Sequence, residues 1–305
     1  MDESTRAPVY VIGSLNTDLV VKTDQLPAPG QTVLGGDFFM SPGGKGGNQA
    51  VAAARLGANV SMVACLGTDI FADAAMASLE RNGVECTHVG RDPDRPSGVA
   101  LISVDAAGEK QIVVAPGANS ALAPADVEHA CSELPPGALV LLQLEIPLAT
   151  VQRAVDVARS RECRVILDPA PAPDGPLPDS LLAGTYLLTP NETEAERLTG
   201  IEVADQASAR AAAATLVDAG ATHVALTLGA AGVCLAGGGQ TTFVPAPRVT
   251  AVDSTAAGDC FNGAVAAGLS RGLDLTASVE FACRAAAVSV TRLGAQDAMP
   301  SPPLS

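Results

Sequence analysis

Apolar runs of strand length alternate with longer helical patterns along most of this 305-residue chain. A strand that alternates with a helix favours a parallel sheet, and strands that are apolar at nearly every position indicate a sheet buried on both faces. We therefore expect an α/β fold with a mainly parallel central sheet and helices on both faces. The predicted strands are 9–13, 59–67, 138–144, 164–168, 185–189 and 223–229, and the predicted helices are 46–57, 70–82, 147–161 and 205–219.

Two segments interrupt this alternation and predict a separate β-structure. Residues 32–40 and 98–114 are typical of antiparallel strands, and the second segment is typical of a hairpin. Each segment lies between α/β elements. We expect one domain over residues 1–305, with a small discontinuous β-lid built from insertions at about 19–41 and 97–115.

The composition limits the possible partners. The chain has 33 Asp and Glu against 18 Lys and Arg, a formal net charge of −15, which disfavours binding to nucleic acid or an anionic membrane surface. No apolar run approaches the ~20 residues of a membrane-spanning helix, and the acidic N-terminus is unlike a secretory signal. Seven scattered Cys without CxxC spacing indicate reduced thiols. We expect a cytoplasmic enzyme or binding protein.

The first chemical motif is GGKGGNQAVAAARLG at 43–57, where glycines and Lys45 lead into a helix. Free backbone N–H groups at such a position favour an anion or a sugar oxygen. The chain contains only three Lys, which gives Lys45 more weight than a glycine-rich turn alone would have. Gly46 follows Lys45 where a P-loop needs Ser or Thr, so this is not a P-loop.

The second motif is VDSTAAGDCFNGAVAAGL at 252–269, in which a small-residue turn leads into an Ala-rich helix. Consecutive N–H groups at the start of this helix predict an anion hole, and Asp259 in its first turn could accept a proton. Ordinary capping of a helix by acidic residues explains the pattern equally well.

Three shorter motifs also follow predicted strands. GSLNTD at 13–18 is typical of a turn, in which Asn16 and Asp18 could bind hydroxyl groups. TPNETE at 189–194 and TLGAAG at 227–232 are candidate nucleotide contacts. Each motif alone is unspecific, because Asn, Asp and Gly are common in turns.

Taken together and in this order, the motifs resemble those of the ribokinase-like carbohydrate kinase family. The resemblance also includes LQLE and VTRLGAQ and runs from residue 9 to about residue 298. It implies transfer of the γ-phosphoryl group of ATP to the primary hydroxyl of a sugar. Asn16, Asp18, GGKGGNQA and Glu145 together favour ribose, which implies phosphorylation of D-ribose at O5 to give D-ribose 5-phosphate.

The resemblance also implies a role for each matching residue. Asp259 resembles the catalytic base, and the N–H groups of Ala256, Ala257 and Gly258 resemble the anion hole. Glu194 resembles the acid that positions Mg²⁺ through water. The implied sugar ligands are Asn16, Asp18, Gly44, Lys45, Gly46, Gly47, Asn48, Glu145 and Asp259. The implied nucleotide contacts are Asn191, Thr227, Leu228, Gly229, Ala230, Ala231, Gly232, Gly258 and Cys283.

A potassium site and a homodimer formed through the lid are implied as well. The matching cation positions are Asp253, Thr255, Ser289, Arg292, Gly294 and Ala298. Ala298 departs from the family pattern, which has a Ser hydroxyl there, so one oxygen ligand is missing or supplied by water. Cys283 also departs from it, because relatives often place His or Asn against adenine and Cys cannot stack on the ring.

Two alternatives stay open. One is a related kinase of the same fold, such as a deoxyribokinase, a fructokinase or a nucleoside kinase. Asp18 argues for a vicinal diol, which 2-deoxyribose lacks, because a buried carboxylate left without its partner is costly. The other is a non-catalytic sugar sensor on a kinase scaffold. The presence of Lys45 and Asp259 argues against the sensor.

Overall fold

The computed structural model describes residues 6–132 and 134–304 and arranges their strands in a nine-stranded and a four-stranded sheet. The strands are β1 (Val9–Ile12), β2 (Asn16–Lys22), β3 (Phe38–Gly43), β4 (Val60–Leu66), β5 (Glu85–Arg91), β6 (Gly98–Val104), β7 (Lys110–Ala115), β8 (Leu139–Leu142), β9 (Arg164–Leu167), β10 (Leu187–Leu188), β11 (His223–Thr227), β12 (Val233–Gly237) and β13 (Gln240–Val244). The helices are α1 (Lys45–Arg55), α2 (Ile70–Arg81), α3 (Pro124–Ala130), α4 (Leu148–Ser160), α5 (Asp179–Ala183), α6 (Glu192–Thr199), α7 (Gln206–Asp218), α8 (Ala257–Ser270) and α9 (Leu275–Ser289).

The nine-stranded sheet has the order β13-β12-β11-β10-β9-β8-β1-β4-β5 and is parallel from β11 to β5. Alternate residues of its strands enter two apolar cores. In β8, Leu139 and Leu141 lie in one core, and Val140 and Leu142 lie in the other. The continuous apolar runs therefore have the structural role that the sequence predicts.

Helices cover both faces of this sheet, as predicted. Buried residues of α1, α2, α8 and α9 belong to the first core, and buried residues of α3, α4, α6 and α7 belong to the second. Helix α8 is Ala-rich and closely packed, since twelve of its residues are buried. No described helix is long and apolar enough to cross a membrane.

The four-stranded sheet, called the second sheet below, has the order β3-β2-β6-β7. The prediction of antiparallel strands is wrong for one pair, because β2 runs parallel to β6. The turn predicted at 13–18 is also wrong in its second half, where Asn16 already begins β2. The strand predicted at 32–40 lies instead at Phe38–Gly43. Strand β2 was not predicted because it begins with polar Asn16 and Asp18, which interrupt the apolar pattern of a strand.

The edges of the nine-stranded sheet contain strands that the sequence analysis did not predict. β5 extends one edge, and the antiparallel hairpin β12–β13 extends the other. The strand predicted at 185–189 shortens to Leu187–Leu188. Edge strands such as β5, with the pattern ECTHVGR, are partly exposed and lack the apolar run that identifies a central strand.

Candidate functional site

The parallel strands converge on a cavity of about 180 Å³ at their carboxyl ends. β9 ends one residue before Asp168, and β10 ends one residue before Thr189. The N-terminal ends of α1, α6 and α8 face the same space. The lining residues are Lys45, Asp168, Thr189, Asn191, Glu194, Thr227, Ser254, Ala256, Ala257, Gly258, Asp259 and Asn262.

Glycines allow the start of α1 to approach the segment after β1. Gly44 precedes the helix with a φ of 84°, and a Cβ there would lie 2.6 Å from the backbone nitrogen of Asn16. A Cβ at Gly46 would lie 2.7 Å from the nitrogen of Ser14. The N–H of Gly47 donates to the carbonyl of Ser14 at 2.9 Å. The glycine-rich motif therefore serves close packing between two backbone segments.

The first turn of α1 places three functional side chains on one face. Lys45, Asn48 and Gln49 are separated by three and four residues, the spacing that brings side chains together on a helix. Asn48 Nδ2 donates to Asp259 Oδ2 at 2.9 Å, and Gln49 Nε2 donates to Asp259 Oδ1 at 3.0 Å. Both carboxylate oxygens of Asp259 are therefore held by adjacent residues of one helix.

Asp259 lies in the first turn of α8 and is 6% exposed. Burial raises the pKa of its carboxyl above the ordinary value, and Lys45, Asn48 and Gln49 oppose that rise. Ala256 precedes the helix with a φ of 58°, in the left-handed region, so the turn predicted there has an unusual backbone.

Lys45 is surrounded by acidic groups. Burial alone would lower the pKa of its ammonium group, but Asp168, Asp259 and Glu145 together raise it above the ordinary value. Asp168 is 5% exposed, and its burial, opposed by Lys45, raises its pKa to about 8. Lys45 thus supplies fixed positive charge among several carboxyl groups.

The predicted sugar ligands lie where the second sheet meets α1. Asn16 is buried, and its Oδ1 accepts a hydrogen bond from Asn119 Nδ2 at 2.8 Å. Burial, together with the charges of Glu145 and Asp259, raises the pKa of Asp18 to about 7. Glu145 Oε2 accepts from the backbone N–H of Lys45 at 3.1 Å.

Asn191 and Glu194, the candidates beside β10, cap helix α6. Asn191 Oδ1 accepts from the N–H of Glu194 at 2.8 Å, and Glu194 Oε2 accepts from the N–H of Asn191 at 2.9 Å. This reciprocal pair is a capping box. Both residues also line the cavity, so capping keeps them at its edge.

The remaining nucleotide candidates differ in position. Thr227 ends β11 and lines the cavity, and the exposed turn after it contains Gly229, Ala230 and Ala231, flanked by buried Leu228 and Gly232. Cys283 lies in α9 and is 5% exposed within the first core. Burial raises the pKa of its thiol to about 11.

Two of the predicted cation ligands, Thr255 and Gly294, contact Asp253. Asp253 Oδ1 accepts from the N–H of Thr255 at 3.0 Å, and its Oδ2 accepts from the N–H of Gly294 at 3.0 Å. Burial opposes ionisation, but these bonds and the charge of Lys110 lower the pKa of Asp253 to about 2. Ser289 and Ala298 are buried, and Arg292 is exposed.

A cleft of about 1230 Å³ separates the second sheet from this Asp253 region. Asp18 and Phe39 line it from the sheet, and Ala256 and Gly294 line it from the opposite side. Lys110 of β7 spans the cleft, with its Nζ 3.2 Å from Asp253 Oδ1. The second sheet therefore covers the region between Asp18 and the start of α8.

No role was predicted for five side chains that belong to this site: Gln49, Lys110, Asn119, Asp168 and Gln143, whose Nε2 donates to Gln49 Oε1. Gln49 could have been found from its spacing of four residues from Lys45. Asp168 could have been found because it is the polar last residue of the strand predicted at 164–168. Nothing in the local sequence marks Asn119 or Lys110, whose partners are more than 100 residues away.

Comparison with known proteins identifies the family. Residues 6–302 match the model described as pfkB family carbohydrate kinase. The chain is 40% identical over 296 residues to a ribokinase of Haemophilus influenzae, covering 97% of this chain and 96% of that protein. It is 41% identical over 293 residues to a deoxyribokinase of Salmonella typhi, covering 96% and 95%. The structure of Arabidopsis thaliana ribokinase complexed with ribose and ATP has a TM-score of 0.88 at 31% identity, covering 97% of this chain and 96% of that chain. The chain belongs to the pfkB family of carbohydrate kinases and has the ribokinase-like α/β fold.

Proposed function

We propose that this protein transfers the γ-phosphoryl group of ATP to O5 of D-ribose, giving D-ribose 5-phosphate and ADP. The observation that carries the proposal is the buried Asp259 carboxylate, held at both oxygens beside Lys45 and the start of α8. Phosphoryl transfer depends on positioning and on stabilisation of charge, and this site provides both.

Asp259 is the proposed base. Its buried carboxylate accepts the proton of the sugar hydroxyl, and its raised pKa makes that acceptance easier than for an exposed carboxylate. Asn48 and Gln49 fix the plane of the carboxylate. A fixed base loses little entropy on reaching the reactive geometry.

The proposed anion hole consists of the N–H groups of Ala256, Ala257 and Gly258. They lie at the N-terminal end of α8, where the helix dipole favours negative charge, and the N–H of Ala257 also donates to the carbonyl of Ser254 at a long 3.2 Å. All three residues line the cavity with Asp259. A donor of this kind contributes roughly 3 kcal/mol to the transition state in other enzymes.

The proposed sugar site lies between the second sheet and α1. Asn48 Oδ1 is buried and has no hydrogen-bond partner among the described residues, so it is available to a sugar hydroxyl. Asn16, Asp18 and Glu145 supply further oxygen acceptors, and Asp18 is the proposed ligand of a vicinal diol. Gly44, Gly46 and Gly47 are proposed to contact the sugar through their backbone, which their close packing against the segment after β1 holds beside Asn16.

The proposed nucleotide site is the side of the cavity formed by Asn191 and the turn 227–232. Glu194 would hold Mg²⁺ through water, since a carboxylate and phosphate oxygens suit this ion. Bound Mg²⁺ would neutralise charge on the phosphates. Cys283 is the proposed neighbour of adenine, where its side chain could pack on the ring but could not stack on it.

A monovalent cation, K⁺, is proposed beside the anion hole. The ionised carboxylate of Asp253 and the carbonyls of Thr255, Ser289, Arg292 and Gly294 form an oxygen donor set that suits such an ion. Ala298 contributes no side-chain oxygen. We expect activity in K⁺ to exceed activity in tetramethylammonium, with equal rates contradicting this site.

The second sheet is the proposed lid and dimer interface. Its register aligns Met40, Leu19, Leu101 and Val113 in one row across the four strands. Of these, Met40 also lines the cleft at its edge, whereas Leu19, Leu101 and Val113 do not line it. Met40, Leu101 and Val113 are each more than half exposed. A contiguous apolar row of this kind favours a second copy of the chain as its cover. Sedimentation of the native protein and of Leu101→Asp tests this interface.

The second candidate function is phosphorylation of 2-deoxyribose. It is considered because a deoxyribokinase of Salmonella typhi is 41% identical to this chain. The deciding experiment is ADP release in K⁺ buffer with D-ribose or 2-deoxyribose. Turnover at least about tenfold faster with ribose would support the diol-binding role of Asp18. Faster turnover with 2-deoxyribose would contradict it, and the absence of turnover with any sugar or nucleoside would favour a non-catalytic sensor.

A further inference from the structure

Two glutamines connect the acidic groups of the site in a chain of amide hydrogen bonds. Gln143 Nε2 donates to Gln49 Oε1 at 2.6 Å. Gln49 Nε2 then donates both to Asp168 Oδ2, at 2.8 Å, and to Asp259 Oδ1, at 3.0 Å. All four side chains are buried, with Gln49 and Gln143 fully covered. One amide nitrogen therefore joins two carboxyl groups from different elements.

The carboxyl groups determine the direction of this chain. An ionised carboxylate only accepts hydrogen bonds, so Asp259, the proposed base, requires Gln49 to turn its Nε2 towards it, and Asp168 Oδ2 accepts from the same nitrogen. Its Oε1 then faces Gln143, which must donate. A reversed Gln49 amide would place an oxygen against two acidic groups and a nitrogen against a donor.

This direction of the hydrogen bonds leaves the side-chain oxygen of Gln143 unpaired among the described residues. That oxygen, Oε1, is buried. It points at Gly13, where a Cβ would lie only 1.9 Å from that oxygen. Unpaired buried acceptors are uncommon in folded proteins and call for an explanation. The need to donate to Gln49 explains this one.

We infer that Gln49 is a positioning residue for the reaction, because its amide fixes Asp259 against Asp168, and that Gln143 maintains the orientation of Gln49. The inference rests on the proposed role of Asp259 as the base. Gln49 itself is not placed against the reacting atoms. It acts through Asp259 Oδ1, the oxygen opposite the one held by Asn48.

Further charged groups surround Asp168 and Asp259, the two carboxyl groups that Gln49 joins. Lys45 is the cation near both carboxyl groups, while Glu145 acts on Asp259 and Glu194 acts on Asp168. Asp18 also interacts electrostatically with Asp259. Without the amide between them, Asp168 and Asp259 would lose a shared donor and repel each other when both are ionised.

The test uses Gln49→Met and Gln143→Met, which keep most of the volume but cannot donate, with exposed Gln206→Met as the matched control. Coupled ADP release with ATP and D-ribose should show kcat reduced at least about tenfold in Gln49→Met, with the KM for ribose within about threefold of the unmodified value. The acid limb of the kcat/KM profile should move to higher pH. Gln143→Met should show the same changes to a smaller extent, and the double variant should be no worse than Gln49→Met.

Thermal unfolding gives a readout that needs no activity. The loss of Tm in Gln49→Met should be larger at pH 8.5 than at pH 5.5, because the missing donor matters most when the carboxyl groups are ionised. An equal loss at both pH values, or an unchanged kcat and pH profile, would overturn the inference. Asp259→Asn in the same assay distinguishes failure of the proposed base from failure of the role of Gln49. Full activity of Asp259→Asn would overturn both, whereas a loss of activity in Asp259→Asn with unchanged kinetics of Gln49→Met would overturn only the role of Gln49.

Discussion

Lys110 Nζ lies 3.2 Å from Asp253 Oδ1 and also donates to Thr255 Oγ1, so one lysine joins the second sheet to the loop before α8. The same carboxylate is the proposed K⁺ ligand. An ammonium group and a bound K⁺ therefore compete for one negative charge.

Lys110→Met should lower the K⁺ concentration needed for half-maximal activation. The expected change is about two- to fivefold, the equivalent of up to ~1 kcal/mol for a partly exposed ion pair. Lys22→Met is the matched control, because it removes the same charge from the same sheet. An increase in the K⁺ requirement of Lys110→Met would mean that Lys110 helps K⁺ to bind.

Asp259→Asn should reduce kcat about 10²–10⁴-fold, because the amide cannot accept the hydroxyl proton. Binding of ribose, measured by calorimetry, should change far less. Asp218→Asn, an exposed position at the end of α7, provides a control for the same substitution. A turnover rate close to that of the unmodified protein would exclude Asp259 as the base.

Ribose binding should weaken as the pH falls from 8 to 6. Burial and the charges of Glu145 and Asp259 raise the pKa of Asp18 to about 7, so Asp18 becomes protonated in this window and loses an acceptor for the diol. Calorimetric titration at several pH values measures the effect. Asp18→Asn should bind ribose more weakly and with a flatter pH dependence, whereas an equally steep dependence in this variant would assign the titration to another group.

Gly98→Ala should raise the KM for ribose at least about fivefold, the equivalent of ~1 kcal/mol. A Cβ at Gly98 would lie 2.2 Å from Asn16 Oδ1 and 2.3 Å from Asn119 Nδ2, and it would displace the proposed sugar ligand Asn16. Gly90→Ala is the control, since its Cβ would meet only the carbonyl of Ala64 at 3.8 Å. Equal KM values in the two variants would argue against a sugar-binding role of Asn16.

Asp168→Asn should make stability less dependent on pH. The pKa of Asp168 is raised from 3.8 to about 8, so the folded state holds a proton that the unfolded chain releases at lower pH. Its contribution to stability is full below pH 3.8 and is lost as the pH rises towards 8. The Tm of Asp168→Asn minus the Tm of the unmodified protein should therefore be more positive at pH 8.5 than at pH 5.5.

The sequence predicted those parts of the molecule that depend on local pattern. Helix α1 and the central strands were identified because periodicity and apolar runs are local signals. The parallel pairing of β2 with β6 was missed, because strand pairing is decided by contacts distant in the sequence. Gln49 shares a helix face with Lys45, but its partner Asp259 is 210 residues away, so the sequence could place Gln49 near the site without identifying the group that it holds.

Strand β3 of the second sheet ends at Gly43, and α1 begins at Lys45, so Gly44 alone separates them. A displacement of the second sheet therefore pulls directly on the helix that orients Asp259. The opposite face of that sheet exposes the apolar row that contains Leu101 and Val113. If a second copy of the chain covers this row, dilution of the enzyme should lower its specific activity, and the rate per molecule would report the extent of assembly.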